Sequence, residues 1–317
     1  MVKYSQRAEK NEQKYGCRAC TGSHISVHSA SEANEEMRSI SESLPADKEN
    51  FRRQRKRRAD MIFDTHAHYD DEAFDADRGQ LLEGLPGQGI GAVVNVGASM
   101  RGSEESWRLM QKYDFVYGAI GIHPDHAGEM DEEKMQRLRE MLAHPKAVAV
   151  GEIGLDYYWD KESHEIQKKW FAAQMELALE MEKPIIVHSR EAAKDTFDCM
   201  KAVHAAKPGF AGGVIHCYSG SVEMAREYVK LGYYIGIGGV VTFKNARVLK
   251  EVAADIPLER IVTETDCPYL APVPYRGKRN CSLYIPYIIE EIAQIKGVTP
   301  AEVEQATWEN AHKLYRL

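Results

Sequence analysis

The stretch Ile62-Phe63-Asp64-Thr65-His66-Ala67-His68 is a short apolar run that ends on two histidines, and seven comparable runs follow it along the chain. Short, β-branched runs that alternate with longer amphipathic stretches are typical of βαβ units, which build a parallel sheet. The predicted strands are Ile62–His66, Gly91–Val96, Val116–Ile122, Ala147–Gly151, Ile185–His188, Gly213–His216, Tyr234–Ile237 and Arg260–Glu264. Eight strands and their connecting helices in 257 residues predict a (β/α)8 TIM-type barrel, for which about 250 residues is usual.

The rival architecture is an open, doubly wound sheet. Such a sheet usually begins with a glycine-rich phosphate loop after its first strand, and none follows Ile62–His66. The clearest predicted helix is Glu162–Glu182, because Lys183-Pro184 stops it before the next strand. A final helix over Pro300–Tyr315 is expected to complete the barrel domain.

The chain divides into two predicted parts, a disordered extension over residues 1–60 and a barrel domain over residues 61–317. The extension is rich in Ser, Glu, Lys, Arg and Asn, without a hydrophobic period, which is the composition of disorder. It ends in the basic run Arg52–Arg58, which is typical of a solvated tail, a nucleic-acid arm or an address signal. Cys17 and Cys20 form a single C-x-x-C pair, which alone is an incomplete zinc site.

Composition excludes several classes of protein. The 317 residues have a mean hydropathy of -0.47, and the chain contains no apolar run of membrane-spanning length. Six cysteines are too sparse for a disulfide scaffold, and no secretory signal is visible, so a soluble cytoplasmic protein is expected. The extension carries 13 Lys or Arg against 9 Asp or Glu, so the remainder holds a net charge of -11 within the chain total of -7. An acidic body argues against a broad binding surface for duplex nucleic acid.

Polar residues stand at the ends of five predicted strands, and a TIM-type barrel carries its active site at those C-terminal ends. Singly, each of these residues is a weak signal, because a histidine that ends an apolar run is often structural. Together they would be costly to bury without a cation, so they predict a metal site. The candidate ligands are His66, His68, Glu152, His188, His216 and Asp266.

The residue types favour particular metals. Imidazoles and carboxylates suit Zn, Mn or Mg. Residues i and i+2 of a strand share a face, so His66 and His68 can reach one ion, and Asp64 lies one step deeper on that face. Six ligands exceed the needs of one zinc and fit two ions about 3.5–4 Å apart with a bridging carboxylate. The sequence therefore predicts a two-metal hydrolase.

A family resemblance adds to this reading. The motifs that carry it are Asp64-Thr65-His66-Ala67-His68, Gly121-Ile122-His123-Pro124, Gly151-Glu152-Ile153-Gly154-Leu155-Asp156-Tyr157, Val187-His188-Ser189-Arg190-Glu191, Gly213-Val214-Ile215-His216-Cys217-Tyr218-Ser219-Gly220 and Glu264-Thr265-Asp266-Cys267-Pro268-Tyr269-Leu270. Over essentially all of 61–317 the chain resembles the TatD-type metal-dependent deoxyribonucleases of the amidohydrolase superfamily.

The resemblance implies hydrolysis of phosphodiester bonds with two divalent ions, chiefly in DNA and often as an exonuclease. The expected partner is DNA, as single strands or ends, with RNA as an alternative. By resemblance, His66 and His68 hold one ion, His188 and His216 hold the other, and Glu152 bridges them. Asp266 would join the first ion and act as the catalytic base.

The substrate side departs from the family at one place. The family usually has Asn, an acidic or amide residue and then Pro, where this chain has Asn280-Cys281-Ser282. Ser282 is expected to replace the proline as the N-cap of the last barrel helix. The expected substrate contacts are His123, Arg190, Arg276 and Asn280, with Lys244, Lys278 and Arg279 as further cations near the rim. Tyr157, Tyr158 and Trp159 fit either base stacking or packing.

Two other functions fit parts of this pattern. Another hydrolase of the superfamily would act on a non-nucleic amide, lactone or phosphoester, and such two-metal enzymes commonly bridge their ions with a modified lysine after strand 4. This chain has Glu152 there, with Lys146 before the strand and Lys161 beyond the loop, which favours the nuclease-like branch. A non-enzymatic nucleic-acid adaptor would use Arg52–Arg58 and would lack turnover that a chelator abolishes.

Overall fold

The computed structural model describes residues 62–159, 164–206 and 212–317, so the predictions about residues 1–60 lie outside the described residues. Its strands form one parallel sheet whose spatial order follows the chain order, which confirms the predicted barrel. The strands are β1 Ile62–Ala67, β2 Ile90–Val96, β3 Val116–Ile120, β4 Ala147–Asp156, β5 Ile185–Arg190, β6 Gly213–Ile215, β7 Tyr234–Ile237 and β8 Ile261–Thr263.

The strand β4 differs most from its prediction, because it runs to Asp156 instead of ending at Gly151. Gly154 permits the extension, since its φ is +142° and a Cβ there would lie 2.0 Å from the carbonyl oxygen of His188 on β5. The β4 and β5 backbones approach too closely at this point for any side chain on Gly154. Glu152 therefore lies inside β4, not after it.

Each strand is followed by a helix, and one further helix ends the chain. Within the described ranges the helices are α1 Arg78–Gly84, α2 Met100–Lys112, α3 Glu132–Leu142, α4 His164–Glu180, α5 Ala193–Ala206, α6 Val222–Lys230, α7 Arg247–Asp255, α8 Ile285–Lys296 and α9 Pro300–Tyr315. The helix α4 is slightly shorter than the predicted Glu162–Glu182, and residues 160–163 lie outside the described ranges. The predicted bounds of α9 are confirmed, and a capping box between Thr299 and Glu302 begins it. None of the helices described is both long and apolar enough to cross a bilayer.

The seam between β8 and β1 is joined just beyond the end of β8. The backbone N–H of Asp266 donates to the His66 carbonyl at 2.9 Å, and that of His68 donates to the Cys267 carbonyl at 2.9 Å. These bonds place the first and last candidate ligands side by side. Asp266 has a φ of +56°, a left-handed conformation that Asp and Asn adopt more readily than most residues.

The barrel interior is apolar, and α9 packs against it at the N-terminal end of the strands. Inward-facing residues form one buried cluster with three residues of α9, namely Ala311, Leu314 and Tyr315. The Tyr315 ring lies 5.8 Å from the Phe63 ring, and its hydroxyl donates to the Thr65 carbonyl at 2.9 Å. The last helix thus covers the end of the barrel opposite the predicted site.

Candidate metal centre

The structure brings all six candidate ligands together at the C-terminal ends of the strands. His66 lies in β1 and His68 directly follows that strand, while Glu152 lies in β4 and His188 in β5. His216 follows β6, and Asp266 follows β8. Five separate strands therefore contribute to one cluster, and the parallel barrel brings their C-terminal ends to a single rim.

One half of the cluster contains His66, His68 and Asp266. The two Nε2 atoms of His66 and His68 are 3.0 Å apart. The Asp266 Oδ1 atom lies 3.4 Å from the His68 Nε2 and 3.8 Å from the His66 Nε2. Glu152 completes this half, because its Oε2 atom lies 3.6 Å and 3.7 Å from the same two nitrogens.

The other half contains His188 and His216. The second carboxylate oxygen of Glu152, Oε1, lies 2.8 Å from the His188 Nδ1 and 3.8 Å from the His216 Nε2. The Oε2 atom of Glu152 therefore faces His66 and His68, while its Oε1 atom faces His188, His216 and, also at 3.8 Å, His123. The rings of His66 and His216 stack at 3.5 Å between centroids, so the two halves are in direct contact.

The spacing of these donor atoms fits divalent cations. Metal–ligand bonds of about 2.0–2.2 Å place neighbouring donors on one ion roughly 3–3.6 Å apart. The Nε2 atoms of His66 and His68 and the oxygens nearest to them are 3.0 to 3.7 Å apart, longer in most cases than hydrogen bonds. Among the described residues, four groups of three ligand-type side chains lie close enough to hold an ion. Two of these groups consist of the six candidate ligands alone, and the other two add His123 or the pair Cys217 and Glu264.

Burial and charged neighbours both shift the pKa values of groups in the cluster. Burial, together with nearby His216, holds the pKa of His66 well below its usual range, which leaves this imidazole neutral. Burial opposes the charged form of His188, but hydrogen bonds with Asp156 and Glu152 outweigh it and raise its pKa to about 10. The histidines in turn hold the pKa of Glu152 well below its ordinary value, although burial acts in the opposite direction.

Two acidic residues for which the sequence predicts no role contact the histidines on the side away from Glu152. The Asp156 Oδ2 atom lies 3.0 Å from the His188 Nε2, and the Glu264 Oε1 atom lies 3.1 Å from the His216 Nδ1. Carboxylates in such positions fix the orientation of a ligating imidazole. Asp156 could have been predicted from the sequence, because it is four residues after Glu152 and therefore on the same face of β4. Gly154 is the one residue between them on that face.

The carboxylate of Glu264 occupies space that is free because β7 has a glycine, Gly236, at that position. A Cβ on Gly236 would lie 2.4 Å from the Glu264 Oε2, so only glycine leaves room for the carboxylate. The backbone N–H of Cys217 donates to the other oxygen at 2.6 Å. Cys217 itself follows His216 with a φ of +45°, a left-handed conformation that turns the chain after the histidine.

Asp64 is buried beneath the cluster, and its contacts correct the expectation for Ser282. Asp64 accepts hydrogen bonds from the Thr265 N–H at 3.0 Å, the Thr265 hydroxyl at 2.7 Å and the Ser282 hydroxyl at 2.6 Å. Ser282 is therefore not the helix N-cap: α8 begins at Ile285, has Pro286 in its first turn, and receives no side-chain cap. The Ser282 hydroxyl instead donates to Asp64, a fully buried carboxylate whose pKa is raised to about 7 by burial.

His123 joins the cluster from the end of β3. It is buried, and its Nε2 lies 3.8 Å from the Glu152 Oε1, while its Nδ1 accepts the Asp125 N–H at 3.1 Å. Arg190 lies two residues beyond His188 on β5, hence on the same face of the strand. Its guanidinium lies 4.2 Å from the centre of the Tyr158 ring and 5.5 Å from that of Trp159. Within the described part of the chain, the buried Nη2 of Arg190 has no hydrogen-bond partner.

The other expected substrate contacts are placed differently. Asn280 is fully buried, and its amide donates to the carbonyls of Thr265 and Tyr269 at 2.9 and 2.8 Å, so it holds the loop that carries Asp266. Arg279 is paired with Asp77 at 2.6 Å. Arg276 lies with its guanidinium 4.3 Å from the centre of the Phe243 ring. Asn280 is thus bonded to the backbone and Arg279 to a carboxylate, whereas Arg276 contacts an aromatic ring.

A (β/α)8 barrel with a buried cluster of histidines and carboxylates at its C-terminal rim defines the class of metal-dependent barrel hydrolases. The TatD related DNase family model matches residues 63–316. The chain is 44% identical over 257 residues to the uncharacterized metal-dependent hydrolase YabD of Bacillus subtilis (strain 168), covering 81% of this chain and 100% of that protein. It is 30% identical over 262 residues to the 3'-5' ssDNA/RNA exonuclease TatD of Rahnella sp. (strain Y9602), covering 81% and 98%.

Among solved structures, the TatD homolog YJJV of Escherichia coli K12 superimposes with a TM-score of 0.76 at 28% identity, covering 82% of this chain and 99% of that one. The chain therefore belongs to the TatD family and is a metal-dependent hydrolase. The resemblance inferred from its motifs is confirmed.

Proposed function

We propose that this protein hydrolyses phosphodiester bonds of nucleic acids, removing nucleotides from the ends of single-stranded DNA, with RNA as a second substrate. The observation that carries the proposal is the position of Glu152, whose two oxygens face the pairs His66–His68 and His188–His216. A carboxylate between two sets of ligands is the arrangement of two-metal phosphoryl-transfer sites. The exonuclease named among the relatives supports the choice of substrate.

The donor set fits two divalent ions, Mg, Mn or Zn. His66, His68 and Asp266 would hold one ion, His188 and His216 the other, and Glu152 both. Bound divalent ions lower the pKa of the attacking water towards about 7 and neutralise the charge that develops on the phosphoryl oxygens. The buried carboxylates Asp156 and Glu264 hold the imidazoles of His188 and His216 in the orientation that ligation needs.

The chain's own residues perform the remaining steps. Asp266 accepts the proton of the attacking water, and the bond from its N–H to the His66 carbonyl fixes it beside the cluster. Arg190 offers to a phosphate oxygen its buried Nη2, which has no hydrogen-bond partner among the residues described, and Arg276 adds a second cation. His123, which is buried against Glu152, would contact the scissile phosphate from the β3 side.

The position of Lys146 supports the nuclease over an amide or lactone hydrolase. Its ammonium group donates to the Tyr113 carbonyl at 2.6 Å, beside the start of β4 and away from the rim. It therefore does not take the place of a bridging lysine, and Glu152 occupies the position on β4 where such a lysine would be expected.

The test is digestion of end-labelled single- and double-stranded DNA and RNA with Mg²⁺, Mn²⁺, Zn²⁺ or EDTA. We expect progressive shortening from one end of single strands, and no shortening in EDTA. Binding without chelator-sensitive turnover would identify an adaptor. Hydrolysis of lactones or amides with no action on any nucleic acid would identify the other branch of the superfamily.

A further inference from the structure

Two buried glutamines on α4 contact the backbone at the ends of β3 and β4. The side chain of Gln174 accepts a hydrogen bond from the Ile122 N–H at 2.8 Å and donates to the Ile122 carbonyl at 3.0 Å. Gln167 makes the same pair of bonds to Asp156, also at 2.8 and 3.0 Å. Both glutamines are 1% exposed.

The pairing has a simple physical basis. A carboxamide carries one acceptor and one donor side by side, so it can bond both the N–H and the carbonyl of a single residue. Ile122 and Asp156 lie where β3 and β4 end, so their main-chain groups need partners that the sheet does not supply. The two glutamines are seven residues apart, which is two turns of helix, and they therefore lie on one face of α4.

Ile122 and Asp156, the two residues whose backbone the glutamines bond, each lie beside part of the metal-ligand cluster. Ile122 immediately precedes His123, whose Nε2 lies 3.8 Å from the Glu152 Oε1. Asp156 contacts the His188 Nε2 through Oδ2 at 3.0 Å. Its other oxygen accepts the Tyr158 N–H at 2.9 Å, and so orders the aromatic residues that stack on Arg190.

We propose that Gln167 and Gln174 are positioning residues, through which α4 holds His188 and His123 on two sides of Glu152. Gln167 acts on the second ion, since it fixes the carboxylate that orients His188. Gln174 acts on the substrate side, since it fixes the backbone before His123. The proposal rests on the proposed function only for the roles of these two histidines.

The experiment compares Gln167→Met and Gln174→Met in the full chain, because methionine keeps the length of the side chain and removes both bonds. Asn310→Leu is the matched control. Asn310 is also a buried amide, and its Nδ2 donates to the carbonyls of Leu258 and Ile261, both at 2.8 Å, on α9 away from the rim. Zn²⁺ affinity is measured by competition with a chromogenic chelator, without substrate. The kinetic parameters kcat and KM are measured with bis(p-nitrophenyl) phosphate as substrate.

We expect Gln167→Met to weaken binding of the second Zn²⁺ about tenfold, as the loss of an outer contact to a ligand typically does. Gln174→Met should leave Zn²⁺ affinity within about twofold of the parent and lower kcat/KM about tenfold, because His123 is displaced. Asn310→Leu should lower the melting temperature and change neither quantity. If both methionine variants behave like Asn310→Leu, the glutamines are merely structural and the proposal is wrong.

Two further outcomes are covered by the same design. Should a methionine variant fail to fold, Gln167→Asn and Gln174→Asn decide in its place, because asparagine keeps the carboxamide but is one methylene shorter than the side chain that reaches the backbone. They should shift the same quantities in the same directions, and unchanged values would overturn the proposal. A parent enzyme that is inert towards every phosphodiester would contradict the proposed function, while the Zn²⁺ affinity of Gln167→Met would still decide this one.

Discussion

The two ends of the barrel are equally buried and opposite in chemistry. At the C-terminal rim, His66 and Glu152 are 1% and 2% exposed, yet both are polar and stand among other ionisable groups. At the N-terminal end, Leu314 and Tyr315 are 4% and 3% exposed and pack against an apolar interior. Burial at the rim costs stability unless cations compensate for it, whereas burial at the other end contributes stability. The residues proposed to act in catalysis and the residues that stabilise the fold therefore lie at opposite ends of the barrel axis.

The largest effect is expected from Glu152→Ala, which removes the carboxylate that faces both histidine pairs. We expect turnover to fall on the order of 10³-fold or more, because ions that lose their shared ligand repel each other and no longer activate water. Unfolding should stay cooperative, since the apolar interior lies below the rim. The measurements are kcat on a single-stranded DNA end and a thermal melt.

The control for this change is Glu304→Ala, which removes a buried glutamate from α9 instead. It should leave kcat within about twofold of the parent, because Glu304 lies on the helix that covers the end of the barrel opposite the proposed ligands. Near-normal turnover by a folded, metal-loaded Glu152→Ala protein would show that the rim does not hold a bridging carboxylate.

A smaller loss is expected from Asp266→Asn, which keeps the size and one ligand oxygen but cannot accept a proton. Asparagine also tolerates the φ of +56° at this position, so the backbone should be preserved. We expect kcat to fall about 10²-fold or more with KM little changed, which steady-state kinetics will show. A collapse of affinity with kcat intact would assign Asp266 to substrate positioning.

The opposite end of the barrel should respond in the opposite way. Leu314→Ala leaves a cavity between α9 and the interior, and we expect it to lower the free energy of unfolding by about 2–5 kcal/mol. Turnover below the melting transition should be unchanged. Denaturant unfolding together with kcat at 25 °C tests this, and a tenfold drop in kcat would mean that the two ends are coupled.

The smallest effect is expected from removing residues 1–60. The six candidate ligands and the apolar interior all lie within residues 62–317, so the shortened chain should match the full chain in melting temperature and kcat. The basic run Arg52–Arg58 should alter only salt-dependent binding of nucleic acid. An insoluble truncated protein, or one tenfold slower at saturating substrate, would contradict the predicted division of the chain.

The strands and the six clustered residues could be predicted because each apolar run is short and its terminal polar residue falls at one rim of the barrel. Of the two carboxylates that contact the histidines, Asp156 could have been predicted from its spacing to Glu152 on β4. Glu264 could not, because it follows β8 and reaches His216 through space, with β7 between them. The role of Ser282 could not be predicted from its neighbours in the sequence. Its hydroxyl donates to Asp64, which is 218 residues away in the chain. The roles of Gln167 and Gln174 could not be predicted either, because they depend on hydrogen bonds to the backbone at the ends of β3 and β4.

The hydrogen bond from the Tyr315 hydroxyl to the Thr65 carbonyl joins residues 250 positions apart, one at the end of α9 and the other in β1. During synthesis, the first strand is therefore made long before the helix that covers its N-terminal end. A ribosome that has just finished β8 has still to add both α8 and α9, so the interior is closed only after the whole sheet has been made. A stop codon before Leu314 would remove the residues that seal the barrel while sparing every residue of the metal centre.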